Sequence, residues 1–455
     1  MPPTNQPSRS LSTGNSLLVG SLLFGLFFGA GNLIFPVQLG RDAAGATPAA
    51  TAGFLITAVG LPIIGVIASA LSRSSSMLQM TSNVSRWYAI AFTCALYLTI
   101  GPLFAVPRTA TVSFEVGFAS YLSEGSEHLW LAVFTIVFFT LTGLAAIRPG
   151  RLIDWVGRYL TPVFLVLLLA VIAAAVIFPM GPVEGVPSEK YAQNAAAVGF
   201  IDGYATMDAL ASLAFAIVII EATHRLGVTS PGRVATETAK AGIYSMIAMT
   251  VIYAALAYIG ATSLHLIPTA KNGGTVLAAV SSHYFGPAGT VLIAAIVLAA
   301  CLKTSIGLVT ACAEMFSTMF PTVLGHKGWT ILFTVFSAGV ANIGLASIVK
   351  ISVPVLLFLY PLAITAIILG LLTPWLEGRA LAAQLMTAFT AVAALFDMIK
   401  ALEFPIPGKD ALVNFASTVL PGYDLGFGWA LPALVGLAAG FAITHFRNSP
   451  HVASA

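Results

Sequence analysis

Charge is what this sequence has least of. Only 8% of its 455 residues are charged, while 58% are hydrophobic; a soluble domain carries about a quarter charged residues. Twenty Lys and Arg with 17 Asp and Glu cannot cover the surface of a soluble chain this long. So apolar a composition also excludes disorder, collagen and coiled coils. The chain has no dense basic run, which excludes a nucleic-acid partner. Its three cysteines, Cys94, Cys301 and Cys312, all lie in apolar runs, which argues against a disulfide framework. Its seven histidines fall in loops, at helix ends or in the tail. No two face each other from opposed apolar runs, so an intramembrane haem or zinc-protease site is not expected. There is no H-E-x-x-H motif and no ATP-binding G-x-x-x-x-G-K loop. Without a Ser/His pair or paired carboxylates, the chain does not read as an enzyme. Without a carbonyl-filter motif or a ring of charge, it does not read as a channel. No cofactor is expected.

What the chain has in abundance is apolar runs of about 20 residues, the length of a membrane-spanning helix. They are continuous, not alternating over about ten residues as in a membrane β-barrel. Twelve are predicted: 16–38, 51–71, 86–120, 129–147, 159–179, 198–220, 242–264, 287–319, 329–346, 351–373, 380–401 and 428–446. Lys and Arg test this count, because cytoplasmic loops hold the excess. The N-terminus, the even loops and the tail hold twelve of the twenty. The odd loops hold five: Arg41, Lys190, Lys271, Lys350 and Lys409. Both termini are therefore expected in the cytoplasm. The first 15 residues read as a disordered cytoplasmic segment and 447–455 as a cytoplasmic tail.

Spans three and eight are the longest, about 34 residues each. They share a slight pattern, Thr99-Ile100-Gly101 and Ser305-Ile306-Gly307, five helices apart. Spans one and six, also five apart, both look interrupted. That arrangement is the signature of two inverted five-helix repeats, here 16–180 and 198–373, followed by two further helices over 380–446.

Span one contains FGLFFGAGNLIFPVQLG (24–40). Glycine costs about 1 kcal/mol in a helix interior, and Gly29 and Gly31 flank Asn32, with Pro36 beyond, so the helix is expected to unwind there. Freed N–H groups at the start of a half-helix hold a carboxylate, and freed carbonyls hold a cation; the alternative is a close helix–helix contact through Gly25, Gly29 and Gly31. In span six Asp208 lies deep, next to Thr206, and is expected in a site or holding the interruption. Asp202, near the outer end, reads as a helix cap. In span eight Lys303, Thr304 and Ser305 sit together, with Glu314 beyond them. Hydroxyls suit a small hard cation, while a buried lysine either fills such a site itself or reaches for an interface. In span three Pro102 and Pro107 are expected to kink the helix, Tyr97 and Thr99 to face a central site, and Arg108 and Glu115, on one face, to pair with other intramembrane charges, form a structural salt bridge or mark a gate. Asp397 and Lys400, three apart, most simply pair with each other.

FFGAGNLIFP (27–36), LYLTIGPLFAVPRTATVSFEVG (96–117), DGYATMDALASLAFAIVII (202–220), IGLVTACAE (306–314) and KISVPVLLFLYP (350–361) resemble the bacterial branched-chain amino acid:cation symporter family, over about residues 16–446. The resemblance implies an all-α polytopic protein of twelve transmembrane helices with the leucine-transporter fold, a five-plus-five inverted repeat in which helices one and six are broken. It implies a secondary importer of leucine, isoleucine and valine, usually with Na⁺, multi-pass in the bacterial inner membrane. Carried over residue by residue, the N–H groups of Ala30 and Gly31 hold the substrate carboxylate. Carbonyls of Gly25 and Phe28, with Thr304 and its neighbours, face a sodium ion. Thr206 or Asp208 lies near the ammonium, and Phe24, Phe27, Phe28 and Phe215 are candidates for the apolar pocket. Lys303 departs from the small residue the family leads one to expect, and leaves open a proton-coupled or cation-independent exchanger in which the lysine replaces sodium.

Overall fold

The computed structural model describes residues 10–72, 74, 76–119, 122, 125–147, 161–268, 270, 272–376 and 379–448. Outside it lie the N-terminal residues 1–9, the arginines at 73, 148, 151 and 158, Lys271 and the tail from 449. The regular structure of the described residues is all helical, with no strand among them. Seven of their helices are long and apolar enough to cross a membrane, and a bent pair makes an eighth.

The first apolar run is two helices. Helix α1 (Thr13–Phe27) ends, two residues run extended, and α2 (Ala30–Ala43) begins. Ser12 caps α1 by accepting from the Asn15 N–H. Helices α3 (Thr47–Leu55) and α4 (Leu61–Leu71) are joined by a widened turn at 56–60. A short α5 (Met77–Ser82) follows.

The third run is interrupted as well. Helix α6 (Arg86–Leu98) passes through a wide turn at 99–103 into α7 (Ala105–Gly117), with Gly101 in a non-helical conformation. Pro102 makes this break, since proline has no N–H and its ring displaces the preceding turn. Pro107 makes none. It lies in the first turn of α7, where a missing N–H leaves no bond unmade.

Helices α8 (Glu127–Ala146) and α9 (Thr161–Ile177) follow. Then α10 (Ala195–Asp202) continues as a tight turn over Gly203–Thr206 before α11 (Asp208–Arg225), the two halves bent by 46°. Met207, between them, holds φ at +63°, left-handed backbone that side-chain-bearing residues seldom adopt. Helix α12 (Pro231–Thr262) starts eleven residues earlier than predicted. Helix α13 (Gly273–Met319) is kinked at Gly286, φ +58°, before Pro287. Beyond it come α14 (His326–Ala341), α15 (Leu345–Leu371), α16 (Thr373–Leu376), α17 (Ala380–Ala401), α18 (Lys409–Val419) and α19 (Ala430–Asn448).

Helix α2 is wedged between α12 and α13, while α7 runs against α13 and α11 against α4. Small residues permit the closest of these contacts. A Cβ on Gly40 would stand 1.8 Å from the Ala257 carbonyl, and one on Gly199 would stand 1.9 Å from that of Ala50. In lipid, where no hydrophobic force separates helix from solvent, such close backbone approach supplies the packing.

Candidate functional site

The interruptions of the first and sixth runs face one another, and Asn32 ties them. Its Oδ1 accepts from the Gly29 N–H at 2.8 Å. That N–H would otherwise close a turn on the Gly25 carbonyl, so Asn32 both stops α1 and frees Gly25. Its Nδ2 donates to Asp208 Oδ2 at 2.5 Å and contacts the Tyr253 hydroxyl, and Tyr253 donates to the same carboxylate oxygen at 3.2 Å. All three side chains are buried. Asp208 opens α11, where a carboxylate meets the positive end of the helix. Asn32 thus holds the interruptions with its side chain and, as expected, also lines the cavity between them. Tyr253 was missed in the sequence, although a phenol in mid-span requires a buried partner.

A cavity of about 30 Å³, room for one water, lies between these interruptions, α7 and α13. Gly29, Gly31, Thr206, Asp208 and Phe215 line it, as expected; Phe27, Ile100 and Arg108 line it too. Of the four pocket aromatics, Phe27 and Phe215 are there. Phe24 and Phe28 instead stack on each other at 5.1 Å, with Phe28 also against Tyr253. Thr206 accepts from the Asp208 N–H at 3.3 Å. Ala30 opens α2, so its N–H and that of Gly31 belong to the first turn, which has no helical acceptors.

The eighth-span cluster divides. Thr304 faces the first interruption, its hydroxyl 3.4 Å from the Phe28 carbonyl, and lines the cavity. Ser305 does not join it: its hydroxyl accepts from Thr142 on α8 at 3.3 Å. Successive helical residues point about 100° apart, and here that turns Ser305 toward α8 while Thr304 faces the cavity. Lys303 is buried and does not line the cavity.

The remaining assignments are corrected. Tyr97 lies outside the cavity; its hydroxyl donates to the Ala214 carbonyl at 3.4 Å and its own carbonyl meets Cys312. Glu115 accepts from Asn272 at 2.5 Å, at the far end of α7 from the cavity. Arg108 donates to the Ala205 carbonyl at 2.8 Å, so the two form no pair. Glu314 is exposed, ten residues along α13 from Thr304. Asp202 ends α10 and does not cap α11: it holds Lys190 at 2.5 Å and the Tyr191 hydroxyl. Burial, then the Asp202 charge, push that hydroxyl above its usual range, keeping it a donor. Lys400 lies 3.7 Å from Asp424 and over the Tyr423 ring; it forms no pair with Asp397.

Two interrupted helices meeting at a buried carboxylate inside an apolar helical bundle define a membrane transporter. The chain belongs to the branched-chain amino acid transport protein family, whose model matches residues 12–447; it is a transporter and not an enzyme. It is 43% identical to the branched-chain amino acid permease BrnQ of Lactobacillus delbrueckii subsp. lactis, over 94% of this chain and 96% of that one. It is 38% identical to the branched-chain amino acid transport system 2 carrier protein of Pseudomonas aeruginosa, over 96% and 98%. Among solved structures it shares its fold with Mhp1, a nucleobase-cation-symport-1 family transporter, in a closed conformation with bromovinylhydantoin bound. The TM-score is 0.62 at 13% identity, over 97% of this chain and 95% of that one. It likewise resembles MhsT in complex with L-phenylalanine, with a TM-score of 0.52 at 15% identity, over 96% and 100%.

Proposed function

We propose that the protein imports leucine, isoleucine and valine across the bacterial inner membrane by alternating access. Twelve spans, both termini cytoplasmic, form two inverted five-helix repeats, with α1/α2 and α10/α11 as their broken first members. The observation that carries this reading is that both interruptions open on one cavity that holds a buried carboxylate and two phenylalanines. The substrate ammonium meets Asp208 and Thr206, the side chain lies against Phe27 and Phe215, and the carboxylate lies at the start of α2. At about 30 Å³, the cavity admits leucine only when its walls move, as the rocking of one repeat against the other provides.

Uptake is coupled to a cation. Gly25, freed of its helical bond, Phe28 and Thr304 supply three oxygens for Na⁺ beside the first interruption. A second reading has its own support: Ser305 is engaged by Thr142 and Lys303 is buried next to Thr304. On that reading the ammonium stands in for sodium, and a proton gradient or exchange drives transport. Leucine uptake into proteoliposomes, with Na⁺ and proton gradients imposed separately, decides between them. Uptake with neither gradient, but with counterflow from preloaded leucine, marks an exchanger. No leucine uptake and no counterflow under any condition would refute the transport reading.

A further inference from the structure

Arg108 is a guanidinium 3% exposed in the middle of an apolar bundle. Burying such a charge costs several kcal/mol unless partners compensate it. Its partners here are few. Nη1 donates to the Ala205 carbonyl at 2.8 Å, freed by the turn before α11. The plane lies 4.9 Å from the Phe35 ring centre. Nε is buried with no hydrogen-bond partner. Arg108 makes no ion pair among the described residues, and Oδ2 of Asp208, the acid in its own cavity, is taken by Asn32 and Tyr253.

Its position gives this unused capacity a direction. A Cβ on Gly31 would stand 2.8 Å from Nη2 and 3.1 Å from the Phe35 ring. Nη2 therefore lies against the first turn of α2, whose N–H groups have no helical acceptors and whose Gly31 and Asn32 line the same cavity. A planar fork beside a helix N-terminus matches a carboxylate in geometry and charge.

We propose that Arg108 binds the α-carboxylate of the transported amino acid, sharing it with the first-turn N–H groups of α2. Resting on the transport reading above, this names the group that selects amino acids over amines of the same shape. The Ala205 carbonyl and the Phe35 ring hold the guanidinium in place, and Gly31 leaves it room. Asp208, which lines the same cavity, takes the ammonium, so the site presents one charge of each sign to a zwitterion.

The test uses purified full-length protein and ligand-induced thermal stabilisation, titrated with leucine and with leucinamide, which keeps the side chain and ammonium but has no carboxylate. In Arg108→Gln, leucine affinity is expected to fall about 30-fold, the worth of a charged hydrogen bond, while leucinamide affinity changes less than about three-fold, so discrimination between the two collapses. Arg108→Lys keeps the charge without the fork and is expected to fall in between. Leucine affinity unchanged in Arg108→Gln overturns the assignment, and so does an equal loss for both ligands, which marks a structural arginine. If Arg108→Gln does not stay folded, the same comparison in Arg108→Lys decides. A parent that stabilises with neither ligand refutes the transport reading itself, and the assignment with it.

Discussion

At Gly31 one missing Cβ keeps a buried arginine in place and leaves the backbone of α2 open to the cavity. Gly31→Leu would drive its side chain into Nη2 of Arg108 and the Phe35 ring. The expected outcome is loss of leucine uptake with insertion and expression retained; wild-type uptake in this variant would show that the interruption is not the site. Tyr253 acts through one hydroxyl. Tyr253→Phe removes a hydrogen bond to Asp208, and a bond to a carboxylate is worth about 1.5–3 kcal/mol. The purified variant should melt at lower temperature than the parent. An unchanged melt would mean that Asn32 alone satisfies the carboxylate. For Lys303 two outcomes compete. If the ammonium replaces sodium, parent leucine affinity is the same in Na⁺ and in choline, and Lys303→Thr gains a Na⁺ response. If Lys303 points elsewhere, the parent already responds to Na⁺ and the variant changes little. Ser305 bears on which holds: its hydroxyl is on Thr142, so the Lys303→Thr variant offers the introduced hydroxyl and that of Thr304, and no third.

The helices meet along seams that only glycine permits. Gly53 and Gly199 face each other across α3 and α10, each with a would-be Cβ 1.9 Å from a carbonyl of the other helix. Gly199→Val would force the outer half of the sixth span away from α3 and misplace Asp208 below it. Little monodisperse protein is expected on size exclusion. Gly307→Ala is the control: nothing lies within 4 Å of that position, and alanine in place of glycine favours a helix by up to about 1 kcal/mol. It should behave as the parent or melt slightly higher. A Gly199→Val variant as well behaved as Gly307→Ala would overturn this account of the packing. The seams were hard to see in the sequence, because 41 glycines are spread over the chain and nothing local distinguishes one facing a carbonyl from one facing lipid. The interruptions were easier to see. Gly29, Gly31 and Asn32 together weaken a helix wherever they stand, and Pro102 breaks one by lacking an N–H. Pro107, the same residue type, breaks nothing, because five residues later it falls in a first turn.

Across the whole molecule, the sidedness of Lys and Arg sets the orientation. In the proposed orientation, with both termini cytoplasmic, the 183–194 loop faces outward and the 225–240 segment inward. That loop is tied down near its middle: the Ser188 N–H donates to the Asp42 carbonyl at 2.9 Å, and Lys190 reaches Asp202. Single cysteines placed in 183–194 should react with an impermeant thiol reagent added to intact cells, and those in 225–240 should not. The reverse pattern would invert the molecule and overturn the count of twelve.

Membrane residence, helical class and the weak points of spans one, three and six all follow from the sequence itself. Each depends on the transfer free energy and backbone preferences of a short stretch, whatever lies beside it. Family membership was legible for the same reason, in long contiguous motifs. Which face of each helix points inward was not legible. Arg108 and Glu115 looked like partners for other intramembrane charges or a gate, yet Arg108 lines the cavity and Glu115, two turns along α7, meets Asn272. Thr304 and Ser305 looked like one pair of hydroxyls, yet they serve different neighbours. Tyr253 gave no local sign of meeting Asp208. Lipid is as apolar as the side chains it bathes, so hydropathy does not orient a span about its axis. That rotation comes from close packing and a few buried hydrogen bonds between distant segments, and only the tertiary structure decides it.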